Sequence, residues 1–121
     1  MELLTTEQFK SLSNPGVLSV QLLSPHNSAS SRVTLTRVTV DSGAKQPTHR
    51  HEASEQIWLA LDGCGTLHLG EGRTRPFKQG EVVRFADGEL HGFENTSTAS
   101  FTYLSVTSPP INFSYAYKSG T

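Results

Sequence analysis

The sequence predicts an all-β protein, a small sandwich or barrel. Short runs rich in Val, Ile, Thr, Phe and Tyr recur along the chain, and glycine-containing turns separate them. Residues 32–40 alternate with the period of two that a half-buried strand requires. Hydrophobic residues make up only 35% of the chain, which suits a barrel with a polar interior better than a plain sandwich core.

The elements follow in order. Residues 1–14 carry the one helix signal: Thr5 and Gln8 have capping-box spacing, Leu4 and Phe9 suit a hydrophobic staple, and Asn14-Pro15-Gly16 stops the helix. Residues 17–23 read as a first strand and 24–31 as a polar loop, with His26 as a solvated loop histidine. After the strand at 32–40, Asp41-Ser42-Gly43 turns the chain into a short strand at 47–51. An apolar strand at 56–62 leads to a tight Gly63-Cys64-Gly65 turn. Residues 66–70 and 73–77 form a hairpin around Glu71-Gly72, and Lys78-Gln79-Gly80 turns into a strand at 81–85. A loop at 86–90, with Gly88 at positive φ, precedes the last two strands at 91–95 and 99–107. Ser108-Pro109-Pro110 ends the sheet, and the alternating Phe113, Tyr115 and Tyr117 beyond it read as an added edge strand or a partner contact.

The chain of 121 residues is expected to be one domain, long enough for a core without disulfides. Ten Lys and Arg against eleven Asp and Glu leave a net charge of -1, so neither nucleic acid nor an anionic membrane is an expected partner. A single cysteine, Cys64, allows no internal disulfide. No signal peptide is recognisable, and no apolar run nears the roughly 20 residues of a membrane span. The expected location is cytoplasmic.

The chemistry-bearing residues are histidines. His49 and His51 stand two apart, so on a strand their side chains share a face. Closure of the sheet can bring His91 to the same point. Three imidazoles with one oxygen donor suit Zn, Fe, Ni or Cu better than Mg or Ca. A metal site inside the barrel is therefore expected.

At these residues the chain resembles the cupin superfamily. Gly43, His49, His51 and Gly63 fall on the family's first motif; Gly80, Gly88, His91 and Asn95 fall on its second, with Ala86 where proline is usual. The resemblance implies a double-stranded β-helix, or jelly-roll, holding one divalent transition metal (Fe, Ni, Mn, Zn or Cu). It places the acidic ligand ambiguously. Counting back six residues from Gly63 gives Gln56; counting on from His51 gives Glu55. A one-residue slip reverses the face of a strand. The strand into Gly63 should hold register better than the loop at 52–54, which favours Gln56, with Glu55 as the alternative. Metal ligation by His49, His51, Gln56 and His91 would leave the metal's positive charge uncompensated and favour an anionic ligand such as a carboxylate. With Glu55 the site would resemble an oxygen-activating iron centre. The ligand set of three His and one Gln is also similar to that of the small pectin-degradation cupins, which linearise unsaturated uronates. The resemblance implies a metal-dependent isomerase, lyase or dioxygenase on a small anionic organic molecule, or else a non-catalytic sensor or binding protein. It also implies a homodimer, in which an extra strand pairs with a neighbour's sheet edge.

The remaining residues take plainer readings. His68 is expected to be an exposed or hydrogen-bonded strand residue, Arg37 and Arg84 to face solvent, and Trp58, Phe93 and Tyr103 to pack the interior. Asn95 is expected to bond a turn backbone. Cys64 is not assigned to the metal. A proline at Ala86 is expected to add about 0.4–1 kcal/mol if the backbone accepts it.

Overall fold

The computed structural model describes residues 1–111. Ten strands run in order: β1 (Lys10–Asn14), β2 (Val17–Leu23), β3 (Thr34–Val40), β4 (Lys45–His49), β5 (Glu55–Asp62), β6 (Cys64–Leu69), β7 (Thr74–Lys78), β8 (Val82–Phe85), β9 (His91–Glu94) and β10 (Phe101–Ser108). They pair antiparallel into a six-stranded sheet, β1-β2-β3-β10-β5-β8, and a four-stranded sheet, β4-β9-β6-β7. The architecture is a double-stranded β-helix, the jelly-roll that the family resemblance implies.

Alternation drives it. Along β10 every second residue is buried: Phe101, Tyr103, Ser105 and Thr107. The flanking strands repeat the pattern, with Val38 and Val40 on β3 and Trp58 and Ala60 on β5. These inward apolar groups meet Phe77, Phe85, Phe93 and Leu67 in one core. Trp58 stacks on Tyr103 at 4.2 Å, and Phe93 on Phe101 at 4.5 Å. Each buried aromatic contributes on the order of 2–3 kcal/mol from area alone. Asn95 ties the connections down. Its amide donates to the carbonyls of Val40 and Ala99, and its oxygen accepts from the backbone N–H of Ser97.

The N-terminal helix is reduced to a single 3-10 turn, Thr6–Gln8. The capping interaction exists, since the Thr5 N–H donates to Gln8 Oε1 at 2.8 Å, but it caps one turn only. The next residues, Lys-Ser-Leu-Ser-Asn, pair with β2 as β1 instead. Leu12 explains the preference: as a strand residue it packs against the core, which a helix on the surface would not allow. Cys64 and Gly65 belong to β6, so Gly63 alone makes that turn, at φ 93°. The strand expected at 47–51 is shifted to Lys45–His49, which leaves His51 beyond its end. Phe113, Tyr115 and Tyr117 lie outside the described residues.

Gly65 marks the tightest approach in the core. A Cβ there would collide with the Phe93 ring and lie 2.8 Å from the carbonyl oxygen of Glu94. Gly65→Ala is expected to lower stability by about 2–3 kcal/mol, the scale of core overpacking. A urea midpoint equal to that of the unmodified protein would show that the ring yields freely and that this contact does not limit the fold.

Candidate metal centre

The histidines converge although they do not share a strand. His49 closes β4 and stands opposite His91, the first residue of β9. Between Gln46 and His49 the pairing register shifts, so β4 bulges there. The bulge needs room, and Gly92 supplies it: a Cβ at 92 would lie 2.9 Å from the Gln46 carbonyl oxygen and 3.0 Å from the Thr48 backbone. His51 reaches the same point from the loop after β4. The loop is held from the other side, where the Gly88 N–H donates to the His51 carbonyl at 2.7 Å. The ring centroids of His49 lie 4.8 Å from His51 and 4.5 Å from His91. One nitrogen from each ring falls within 4.8 Å of the others, a cluster that can hold a metal ion.

Gln56 and Glu55 part company. Gln56 is 4% exposed on the inner face of β5, with Oε1 3.0 Å from His91 Nε2. Glu55 points the other way and pairs with Arg84 at 2.8 Å on the outer face. The period of two on β5 decides this, and the loop at 52–54 absorbs the odd residue. Ser54 anchors that loop by donating to the carbonyl of Pro109 at 2.7 Å.

Hydrogen bonds then fix which atoms face the cluster. The Trp58 indole N–H can only donate, and it donates to Gln56 Oε1 at 3.2 Å. Gln56 Nε2 donates to Thr107 Oγ1 at 2.9 Å. The amide oxygen is thereby turned toward His91. The Nδ1 atoms of His49 and His91 lie 2.9 Å from the carbonyls of Pro47 and Glu89, which suits an N–H there and leaves Nε2 as the lone-pair nitrogen.

His91 consequently has an acceptor at each ring nitrogen. A neutral imidazole carries one proton and can satisfy one of them. An imidazolium would satisfy both, but burial, with the neighbouring His49 and His51, outweighs the Glu89 carbonyl and lowers the His91 pKa to about 4. Burial and His49 likewise lower His51 to about 4. A neutral ring bonds either the Glu89 carbonyl through Nδ1 or Gln56 Oε1 through Nε2, and the Nδ1–H tautomer turns the Nε2 lone pair toward Gln56 Oε1, 3.0 Å away. That spacing fits two donors sharing one ion with bonds of about 2.1 Å. The donor set therefore fits a borderline transition metal.

The cluster opens into a cavity of about 360 Å³ between the sheets. Its described lining contains no Asp, Glu or Arg; Lys45 stands at its exposed rim. The Tyr103 hydroxyl donates to Gln46 Oε1 at 3.0 Å inside it. Trp58 is both core and cavity wall, and its role in orienting Gln56 carried no signal in the sequence beyond shared parity. Other residues follow their plain readings. His68 bonds Glu94 at 3.1 Å, Arg37 and Arg84 are exposed, His26 is exposed, and Cys64 is exposed and free. Ala86 differs from expectation in one respect. Its N–H donates to Glu89 Oε1 at 2.9 Å, so a proline would delete a bond and offset its entropic gain.

The lowered pKa values set a direction for stability. Unfolded histidines titrate near 6.5, so between about pH 6.5 and 4 the unfolded chain of the metal-free protein binds more protons than the folded one at His51 and His91. Stability is expected to be full above pH 6.5 and to fall as pH drops toward 4, by a few kcal/mol in total. Urea midpoints at pH 7 and pH 4.5, with NMR titration of the ring protons, check this. Equal midpoints and ring pKa values near 6.5 would contradict it.

Comparison with known proteins agrees with the geometry. The chain is 33% identical over 70 residues to an oxalate-binding protein from Thermotoga maritima, covering 58% of this chain and 57% of that one, so little more than half of that relative is spanned. It is 26% identical over 115 residues to an uncharacterized protein from Methanocaldococcus jannaschii, covering 93% and 91%. Among solved structures, KdgF from Halomonas sp. superposes with a TM-score of 0.76 at 19% identity, covering 91% of this chain and 96% of that one. The polyketide cyclase RemF from Streptomyces resistomycificus superposes at 0.78 with 24% identity, covering 91% and 80%. Both show the fold alone. A predicted oxalate decarboxylase from Thermotoga maritima superposes at 0.73 with 26% identity, covering 88% and 98%. The cupin domain family matches residues 36–107, from the middle of β3 through most of β10 and across every histidine of the cluster. With the jelly-roll and the gathered imidazoles beside that match, the chain belongs to the cupin family.

Proposed function

We propose that His49, His51, Gln56 and His91 bind one divalent transition metal and that the metal, facing the cavity, takes up a small carboxylate. The observation that carries this reading is the convergence of one nitrogen each from His49, His51 and His91 within 4.8 Å, with Gln56 Oε1 3.0 Å from His91 Nε2. A set of four neutral donors leaves the cation's charge for an anionic ligand. When bound, the metal would polarise a carboxylate or enolate oxygen. The chain's own residues hold and orient: Trp58 aims the Gln56 oxygen, and the Pro47 and Glu89 carbonyls aim two imidazoles. The neutral donor set favours isomerase or lyase chemistry over oxygen activation. Similarity to an oxalate-binding protein supports a carboxylate ligand.

A second reading is a binding protein without turnover. The described lining supports it, because no carboxylate stands in the cavity to serve as a general base. The open edge of β1, which pairs only with β2 among the described residues, supports a homodimer formed by strand addition.

Metal analysis of protein purified without added metal tests the centre. About one equivalent is expected, and the His49→Ala/His91→Ala double variant is expected to lose it while keeping its strand signature in circular dichroism. Unchanged metal content in that folded variant would sink the reading. Gln56→Leu is expected to weaken metal binding by roughly 10–100-fold and Trp58→Phe by about 10-fold, whereas Glu55→Gln leaves it unchanged. The reverse order would move the ligand to Glu55. Screening the metal-loaded protein against keto acids and uronates separates the two functional readings: saturable binding with no turnover in any class assigns a binding protein.

A further inference from the structure

We propose that Gln21, Thr36 and Ser105 form a second, oxygen-reading subsite, so that the ligand is a hydroxylated or oxo-substituted carboxylate several carbons longer than oxalate. The inference rests on the carboxylate being held at the histidine cluster, and it concerns the other end of the same ligand.

All three side chains line the cavity, and all are buried, at 4%, 7% and 6% exposure in that order. None makes a side-chain hydrogen bond among the described residues. Their polar atoms are not among the fully buried ones left without a partner, so they are open to the cavity, on a sheet face where Leu, Val or Ala would be the ordinary choice. On the same sheet Gln56 is paired with Thr107 and Trp58, whereas the buried Thr34 Oγ1 is left without a partner among the described residues. The three groups instead face the cavity, where a ligand can supply their partners.

They also stand in one row. Gln21 is the cross-strand partner of Thr36, Thr36 of Ser105, and Ser105 of Trp58. Ser105 is therefore the diagonal neighbour of Gln56, roughly 7–8 Å away, and Gln21 lies two strand spacings, about 10 Å, beyond Ser105. A two-carbon dicarboxylate at the cluster does not reach the row. A six-carbon acid reaches it, and a cavity of about 360 Å³ has room for one. The row mixes two hydroxyls with an amide and carries no charge. It matches neutral hydroxyl or carbonyl groups, not a second carboxylate.

The test uses three probes on the protein as purified and on metal-loaded protein: oxalate, D-gluconate and hexanoate, titrated by calorimetry. Gluconate and hexanoate share chain length and carboxylate and differ in hydroxyls. Gluconate is expected to bind about tenfold tighter than hexanoate, and Thr36→Val/Ser105→Ala is expected to bring the ratio toward one, on the scale of one or two hydrogen bonds. Oxalate affinity is expected to stay within about twofold in the same variant, because oxalate ends short of the row. Gln21→Leu is a second, independent probe with the same expected direction. Because the replaced groups have no partners within the described chain, the variants are expected to keep or raise the Tm. A gluconate-to-hexanoate ratio near one in the unmodified protein overturns the subsite. So does a fall in Tm with equal loss of all three acids, which would assign the row to the fold. If the protein retains no metal and oxalate does not bind while the gluconate preference persists and the variants abolish it, the metal reading fails and the subsite stands.

Discussion

The inward face of β10 changes character along its length, and the molecule is arranged around that change. Phe101 and Tyr103 seal one end of the barrel with Phe77, Phe93 and Trp58. Ser105 and Thr107 continue the same face toward the open end. A strand has one inward face, so the change from apolar to polar side chains falls between two residues one pleat repeat apart, and Tyr103, Val38 and Trp58 belong to both the core and the cavity wall. The neighbours follow the change. Val38 on β3 pairs with Tyr103, whereas Thr36 pairs with Ser105. The core supplies the stability that lets the other half of the interior remain polar and imperfectly paired.

Within that chamber, His91 is the best-determined group. Phe85 stacks on its ring at 4.1 Å and 8°, backbone and amide acceptors fix both nitrogens, and Gly92 lets the bulge of β4 bring His49 opposite. Preorganisation here comes from packing and from an acceptor placed at each ring nitrogen. The site's rigidity belongs to the scaffold, because every one of those contacts is made by the chain itself.

Much of this was legible in the sequence. Glycine turns and two-residue alternation gave the strands, and the spacing of His49, His51 and His91 with Gly63, Gly80 and Gly88 gave the grouping of the rings. The faces of Gln56 and Glu55 followed from the register, because strand parity is rigid and loops are not. Three things were hidden. The capping signal at Thr5 and Gln8 was real but local, and the pairing of Leu12 against the core outweighed it. His51 lies past the end of β4, so convergence of the rings owes more to a bulge and a loop than to parity, and bulges leave no clear mark on composition. The Glu89 side chain bonding Ala86 N–H filled the place of the usual proline with a contact that no spacing rule reveals.

The histidines sit on and beside β4 and β9 of the four-stranded sheet, while Gln21, Thr36 and Ser105 sit on the other sheet, with Gln56 reaching across from β5. On the proposed reading the three imidazoles and the ligand-reading row thus lie on separate walls, with Gln56 the one metal ligand on the row's side. Mutational drift in that row can retune what enters without touching the imidazoles. A lineage built on such a plan can diversify its chemistry by exchanging a few inward residues while inheriting an intact centre.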